Sequence, residues 1–223
     1  QIARWNFCEG LWSLKMAEPT FPISMPTSPN FIRSEWGIAK AVAQSQSPFT
    51  YSTQVHQFTG AKWYSTVTLP PMNRSQASEW QSFFMQLHGS FGTFLMGDPD
   101  AKAVQGTVAN TIAVSGNHSI GAYDIAVDGC DTSESQLFKK GDYVQFNSGS
   151  ASKLRMIIAD VASDGSGEAT LTIEPPLSSA LLDNATVTYA SPKAVMRMTN
   201  NELTWSANHI SLYGISFSCE EAL

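Results

Sequence analysis

The chain has 223 residues, a formal net charge of −6, and only 14% charged against 43% hydrophobic residues. That apolar content excludes a disordered chain, and with no Lys/Arg cluster longer than Lys139-Lys140 the basic footprint of a nucleic-acid binder is missing. Ser, Thr, Gly, Asn and Gln stand where charge is usual, which suits β-rich proteins and proteins that bury surface against their own copies.

In residues 1–15, Ile2, Trp5, Cys8 and Trp12 recur at helical spacing beside Leu11, which predicts a short amphipathic helix. The opening residues lack the basic stretch, apolar run and small-residue site of a signal peptide, and no apolar run is long enough to cross a membrane. After Met16 come Pro19, Pro22, Pro26 and Pro29; prolines this dense forbid regular structure and predict an extended, pinned arm. Residues 35–70 read as strands. In "KWYSTVTLP", Trp63, Ser65, Val67 and Leu69 share one face, and Tyr64, Thr66 and Thr68 the other. Pro70-Pro71 stops that run.

One strong helix is predicted near 74–88. Asn73 caps it, with Gln76 in the capping-box position. Ala77, Trp80, Phe84 and Leu87 form one apolar face for a sheet, Gly89 is placed to end the helix, and His88 at its end complements the helix dipole. Gly97-Asp98-Pro99-Asp100 follows a short apolar strand. Asp98 and Asp100 read as turn residues at a domain seam, in preference to a metal or acid/base pair.

From Gly106 to Pro192, short β-type runs alternate with turns. The spacing places Val144 with Phe146, Leu154 with Met156 and Ile158, Ala169 with Leu171 and Ile173, and Val187 with Tyr189, each set on one strand face. Asn147-Ser148-Gly149-Ser150 and Asp164-Gly165-Ser166-Gly167 are turns. Five or six strands with no strong helix predict a small closed barrel. The last run, "HISLYGISFSCE", puts Ile210 and Leu212 on one parity and Ile215, Phe217 and Cys219 on the other, so a bulge at Gly214 would align them. This strand needs the sheet formed before residue 100, and Ser191-Pro192-Lys193 marks the return to it. The expected domains are therefore 1–34 (extension and arm), 35–100 with 191–223 (sheet and helix), and 101–190 (inserted barrel).

Catalytic signatures are missing. There is no GxSxG or HExxH, and His56, His88, His118 and His209 stand apart. Residues 164–168 lack the frame of a calcium loop, and "GSFGTF" lacks the lysine and following helix of a phosphate loop. Cys8, Cys130 and Cys219 are far apart and read as buried free thiols. Glu79 and Glu220-Glu221 read as solvated or interfacial charges. No catalytic, cofactor or metal residue is assigned, no cofactor is expected, and the chain reads as a non-enzyme.

The stretches "FPISMPTSPNF" (21–31), "SPFTYSTQVHQFTGAKWYSTVTLPPMNRSQASEWQSFFMQLHGSFGTFLMGDPDA" (47–101) and "YGISFSCEEAL" (213–223) are similar to the distal tail or baseplate-hub proteins of long-tailed, siphovirus-type phages. The resemblance runs from Met16 to Leu223 and leaves residues 1–15 as either an upstream extension or the mark of a different start site. It implies a mainly β fold: a tail-tube-like β-sandwich with one flanking helix, and an inserted barrel of the oligonucleotide/oligosaccharide-binding (OB) type. It further implies a structural virion protein, assembled in the host cytoplasm. Six copies would form a ring joining the tail tube above to the baseplate hub or fibres below, with DNA only as passing cargo. Phe21, Pro22 and Ile23, the helix and the C-terminal strand would help close the ring. A minor tail or tube adaptor in a neighbouring layer is a close alternative. A different class is a tail-tip module whose barrel contacts host glycans through exposed aromatics such as Tyr123 or Tyr143. A wall hydrolase using Asp98 or Asp100 is a third.

Overall fold

The computed structural model describes residues 19–208 and 211–223. The expected helix within 1–15, with Cys8, and the positions of His209 and Ile210 lie outside the described residues. Among the described residues the fold is mainly β, with one α-helix, a six-stranded sheet and a separate closed barrel of six antiparallel strands.

The sheet begins with two long strands, β1 (Arg33–Gln46) and β2 (Thr53–Thr68), paired antiparallel as a hairpin. The alternation in β2 holds: Trp63, Ser65, Val67 and the following Leu69 are buried, while Tyr64 and Thr66 face solvent. Helix α1 (Arg74–Leu87) starts at Asn73 with a complete capping box: the Asn73 side chain accepts from the Gln76 N–H at 3.0 Å, and Gln76 reaches back to the Asn73 N–H at 3.4 Å. An Asn73→Ala chain should lose about 1 kcal/mol in urea unfolding, because one orphan amide then has no acceptor. Ala77, Trp80, Phe83, Phe84 and Leu87 form the buried face. The helix ends one residue earlier than glycine placement suggested: His88 itself turns left-handed at φ 50°, and Gly89 follows at φ 71°.

The strand β3 (Phe94–Met96) sits at the far edge. The chain re-enters the sheet as β10 (Ala194–Met198) and closes it with β11 (Trp205–Ala207) and β12 (Tyr213–Glu221). The order is β1-β2-β12-β10-β3, with β11 paired to the start of β12. On β12, Ile215, Phe217 and Cys219 are buried as expected, but the bulge at Gly214 is absent: Ser206 pairs Gly214 in unbroken register. Leu212 belongs to the β11–β12 loop, where its N–H donates to the Asn208 side chain at 2.9 Å. No bulge is required once Leu212 is outside the strand.

The proline-rich arm lies on its own chain. The Ile23 N–H donates to the Thr93 carbonyl at 2.9 Å, Phe21 meets Phe91 edge-on, and Phe31 packs on Trp80 and Phe217. Prolines leave the arm too few N–H donors for a strand, so it is fixed by the bridge at Ile23, by the Trp80 indole bond to the Ser28 carbonyl and by its apolar side chains.

The barrel runs β4 (Ile112–Val114), β5 (Asp124–Asp128), β8 (Ala169–Glu174), β7 (Lys153–Ile157), β6 (Tyr143–Phe146) and β9 (Thr186–Thr188), the last pairing with β4 to close it. Its core holds Val144, Phe146, Ala169, Leu171, Ile173 and Val187, as the alternation predicts. Strand β7 departs from prediction. Ile157 is the residue in the barrel core, Leu154 and Met156 pack instead with the sheet-and-helix core, and Ile158 is exposed. Both faces of this strand are covered, so a rule built on one wet face picks the wrong one.

Candidate interaction surface

The same face of the sheet is covered twice. Toward one end α1 lies over it, with Phe217 touching Trp80, Phe84 and Phe94. Toward the other, the outer wall of the barrel does: Tyr143 meets Trp63 edge-on at 5.6 Å, and the Trp63 Nε1–H donates to the Leu154 carbonyl at 3.0 Å. Beyond that cover the β1–β2 hairpin continues alone. A register shift between Lys40 and Val42 marks the departure, and the six β1 residues past Lys40 reach roughly 20 Å outward at the usual rise per residue.

Every residue from 48 to 60 is exposed, and so is β1 from Ala39 onward. The exposed side chains include Val42, Val55, Phe58, Phe49 (92% exposed) and Tyr51 (74%). Residues 41–61 contain no Asp, Glu, Lys or Arg. The part of the hairpin most open to water thus carries no charge. Two-stranded ribbons are marginal in water by themselves, and natural edge strands are usually blunted by charge, proline or a covering element. Here β1 is the sheet edge along its whole length, and the charged groups that guard it stand at the root: Arg33, Glu35, and Lys40, which pairs with Glu174 of the barrel at 2.9 Å.

Asp98 makes an Asx turn, accepting the Asp100 N–H at 3.1 Å, beside the point where the two connections between sheet and barrel touch. A Cβ on Gly97 would stand 2.0 Å from the Pro192 carbonyl oxygen, and the Ser191 N–H donates to the Lys102 carbonyl at 2.7 Å. Gly97→Ala should therefore cost about 1–3 kcal/mol in thermal or chemical unfolding, since backbone must move to admit one methyl group.

Asp164 occupies a tight turn whose Ser166 and Glu168 N–H groups donate to its carboxylate at 2.8 and 2.9 Å. Those backbone bonds, from Glu168 first, hold its pKa below the ordinary aspartate value. Among the described residues no three His, Cys, Asp or Glu side chains converge as a metal site. Cys130 and Cys219 are buried free thiols. Burial, then Asp128, Asp131 and Asp164, push Cys130 up to about 11; burial pushes Cys219 up to about 12, against a bond from the Ser65 backbone. Tyr143 is not an exposed aromatic: it is 8% exposed against Trp63, and burial, with a contribution from Asp98, lifts its phenol to about 12. Only Tyr123 of that pair reaches solvent. Phe21, Pro22 and Ile23 are half-buried on their own chain.

In the sequence the projecting hairpin shows only as strands without charge, and nothing local marks its lack of a covering layer. No helix among the described residues is long and apolar enough to cross a membrane. No protein-family model matches the chain, and no curated protein matches its sequence.

Proposed function

We propose that the protein is a structural component of a phage tail, closing a ring of identical subunits at the tail's distal end. One observation carries this reading: the uncharged, two-sided, projecting hairpin. Its exposure in the single chain is costly, and covering it with further copies removes the cost. A bare hairpin edge on one side of the sheet and, on the other, the β3 edge with the arm bridged onto it at Ile23 are unlike surfaces, as a ring closed by head-to-tail contacts needs. Six copies, a tail tube above, a hub or fibres below and a channel for DNA complete the proposal, on the resemblance set out above. Within it, the sheet with its helix is the counterpart of the tail-tube sandwich, and the six-stranded barrel is the OB-like insert. A hairpin wall without Lys or Arg has few groups to hold passing phosphates.

The test is averaged electron images of tails containing the protein, with native mass of the purified chain beside them. Six-fold density at the lower end of the tube is expected. A monomer at high concentration that is absent from tail particles overturns the proposal.

A further inference from the structure

The contact between barrel and sheet holds a buried charge pair that the apolar packing there does not explain. Arg155 of β7 and Glu221 of β12 are each 1% exposed in their side chains, with Nη1 at 3.4 Å from Oε1. Glu221 also accepts the Trp63 backbone N–H at 3.2 Å through Oε2. Arg155 donates from Nη1 to its neighbouring Leu154 carbonyl at 2.6 Å and from Nη2 to Ser178 Oγ at 2.8 Å, while its Nε has no partner. Lys153, half-buried on the same strand, is drawn by Glu221 and repelled by Arg155, although burial dominates and lowers its pKa. One carboxylate thus pairs with one guanidinium and one backbone amide.

Such an arrangement is poor at adding stability. Desolvating the two ions costs as much as their attraction returns, and an apolar pair of the same size often does as well. It is good at direction. The surrounding side chains of Trp63, Tyr143, Leu154 and Met156 pack through apolar surface with one neutral bond, from the Trp63 indole to the Leu154 carbonyl, and the partly exposed Lys40–Glu174 pair is weakened by water. The two connections are held by the close approach of Gly97 to Pro192, the Ser191 N–H to Lys102 carbonyl bond and the Lys193 N–H to Gln145 Oε1 bond at 2.8 Å, all of them neutral contacts near the seam. We infer that the Arg155–Glu221 pair is an orientation key, which admits one seating of the barrel on the sheet and rejects seatings that would bury either charge alone.

The test places spin labels at Thr66→Cys, on the open face of the sheet, and at Ser166→Cys, on a barrel turn. Cys8 is replaced by Ser, buried Cys130 and Cys219 are left in place, and one labelled chain is mixed with ten unlabelled so that assembly does not interfere. Distances are compared in the parent, in Glu221→Gln, and in the double change Arg155→Met with Glu221→Leu. The parent should give one narrow distance. The double change should melt no lower than the parent and keep the amide protection of the barrel strands, yet show a distribution at least twice as wide or a shifted centre. An unchanged narrow distance in the double change overturns the inference and assigns orientation to the Trp63 contacts. Should Glu221→Gln fail to fold, the double change alone decides.

Discussion

A Trp80→Ala chain is expected to lose about 4 kcal/mol of folding stability, a drop of roughly 10–15 °C in melting temperature for a chain of this size. Trp80 is completely buried and joins three parts of the molecule. Its ring contacts Phe83 and Phe84 on its own helix, Phe217 on β12 and Phe31 at the end of the arm. Its Nε1–H donates to the Ser28 carbonyl at 3.2 Å, so alanine both opens a cavity and leaves that carbonyl without its donor. Since a domain holds only about 5–15 kcal/mol in reserve, the loss should show directly in calorimetry. A drop under about 1 kcal/mol would mean that α1 and the arm collapse onto the space, against the rigid packing described here.

Replacing Val42 and Val55 together by Asp should leave the folded chain within about 0.5 kcal/mol of the parent and abolish the proposed self-association, by roughly a hundredfold or more in affinity. Both side chains are more than half exposed, so each carboxylate is hydrated in the free chain. The pairings Val42 with Gln57 and Gln44 with Val55 put both on one face of the hairpin. Covering that face would desolvate two like charges in every copy. Sedimentation velocity reads the outcome, with thermal unfolding as the control. Association that survives both charges would place the contact elsewhere and remove the main support for the ring.

Legibility in the sequence followed the range of the interaction. The helix was fully readable because its cap is local: Asn73 and Gln76 satisfy each other within one turn, whatever lies above. The wet-and-dry alternation of β2 was readable at Trp63–Leu69 because one face there meets solvent. It failed on β7, where Arg155 looks like an outward residue and is instead held by a carboxylate 66 positions away. Tyr143 failed for the same reason, since its cover is Trp63 from the other core. Leu212 was misplaced by the Asn208 side chain, which ends the strand by capturing its amide. Of the candidate surface, the missing charge of residues 41–61 was on display. What the sequence withheld was that the barrel ends its cover near Trp63, leaving the rest of the hairpin in water.

The seam between sheet and barrel has an evolutionary side. Met96 of β3 faces Ala194 of β10 across an antiparallel ladder, so a two-residue turn would join those strands directly if the ninety-odd residues between them were excised. The barrel is thereby a cassette: lineages can gain, lose or exchange it without rethreading the host sheet. The scar of such an event would be chemical and not topological, because a chain without the cassette must find another roof for Trp63 and another counterion for Glu221.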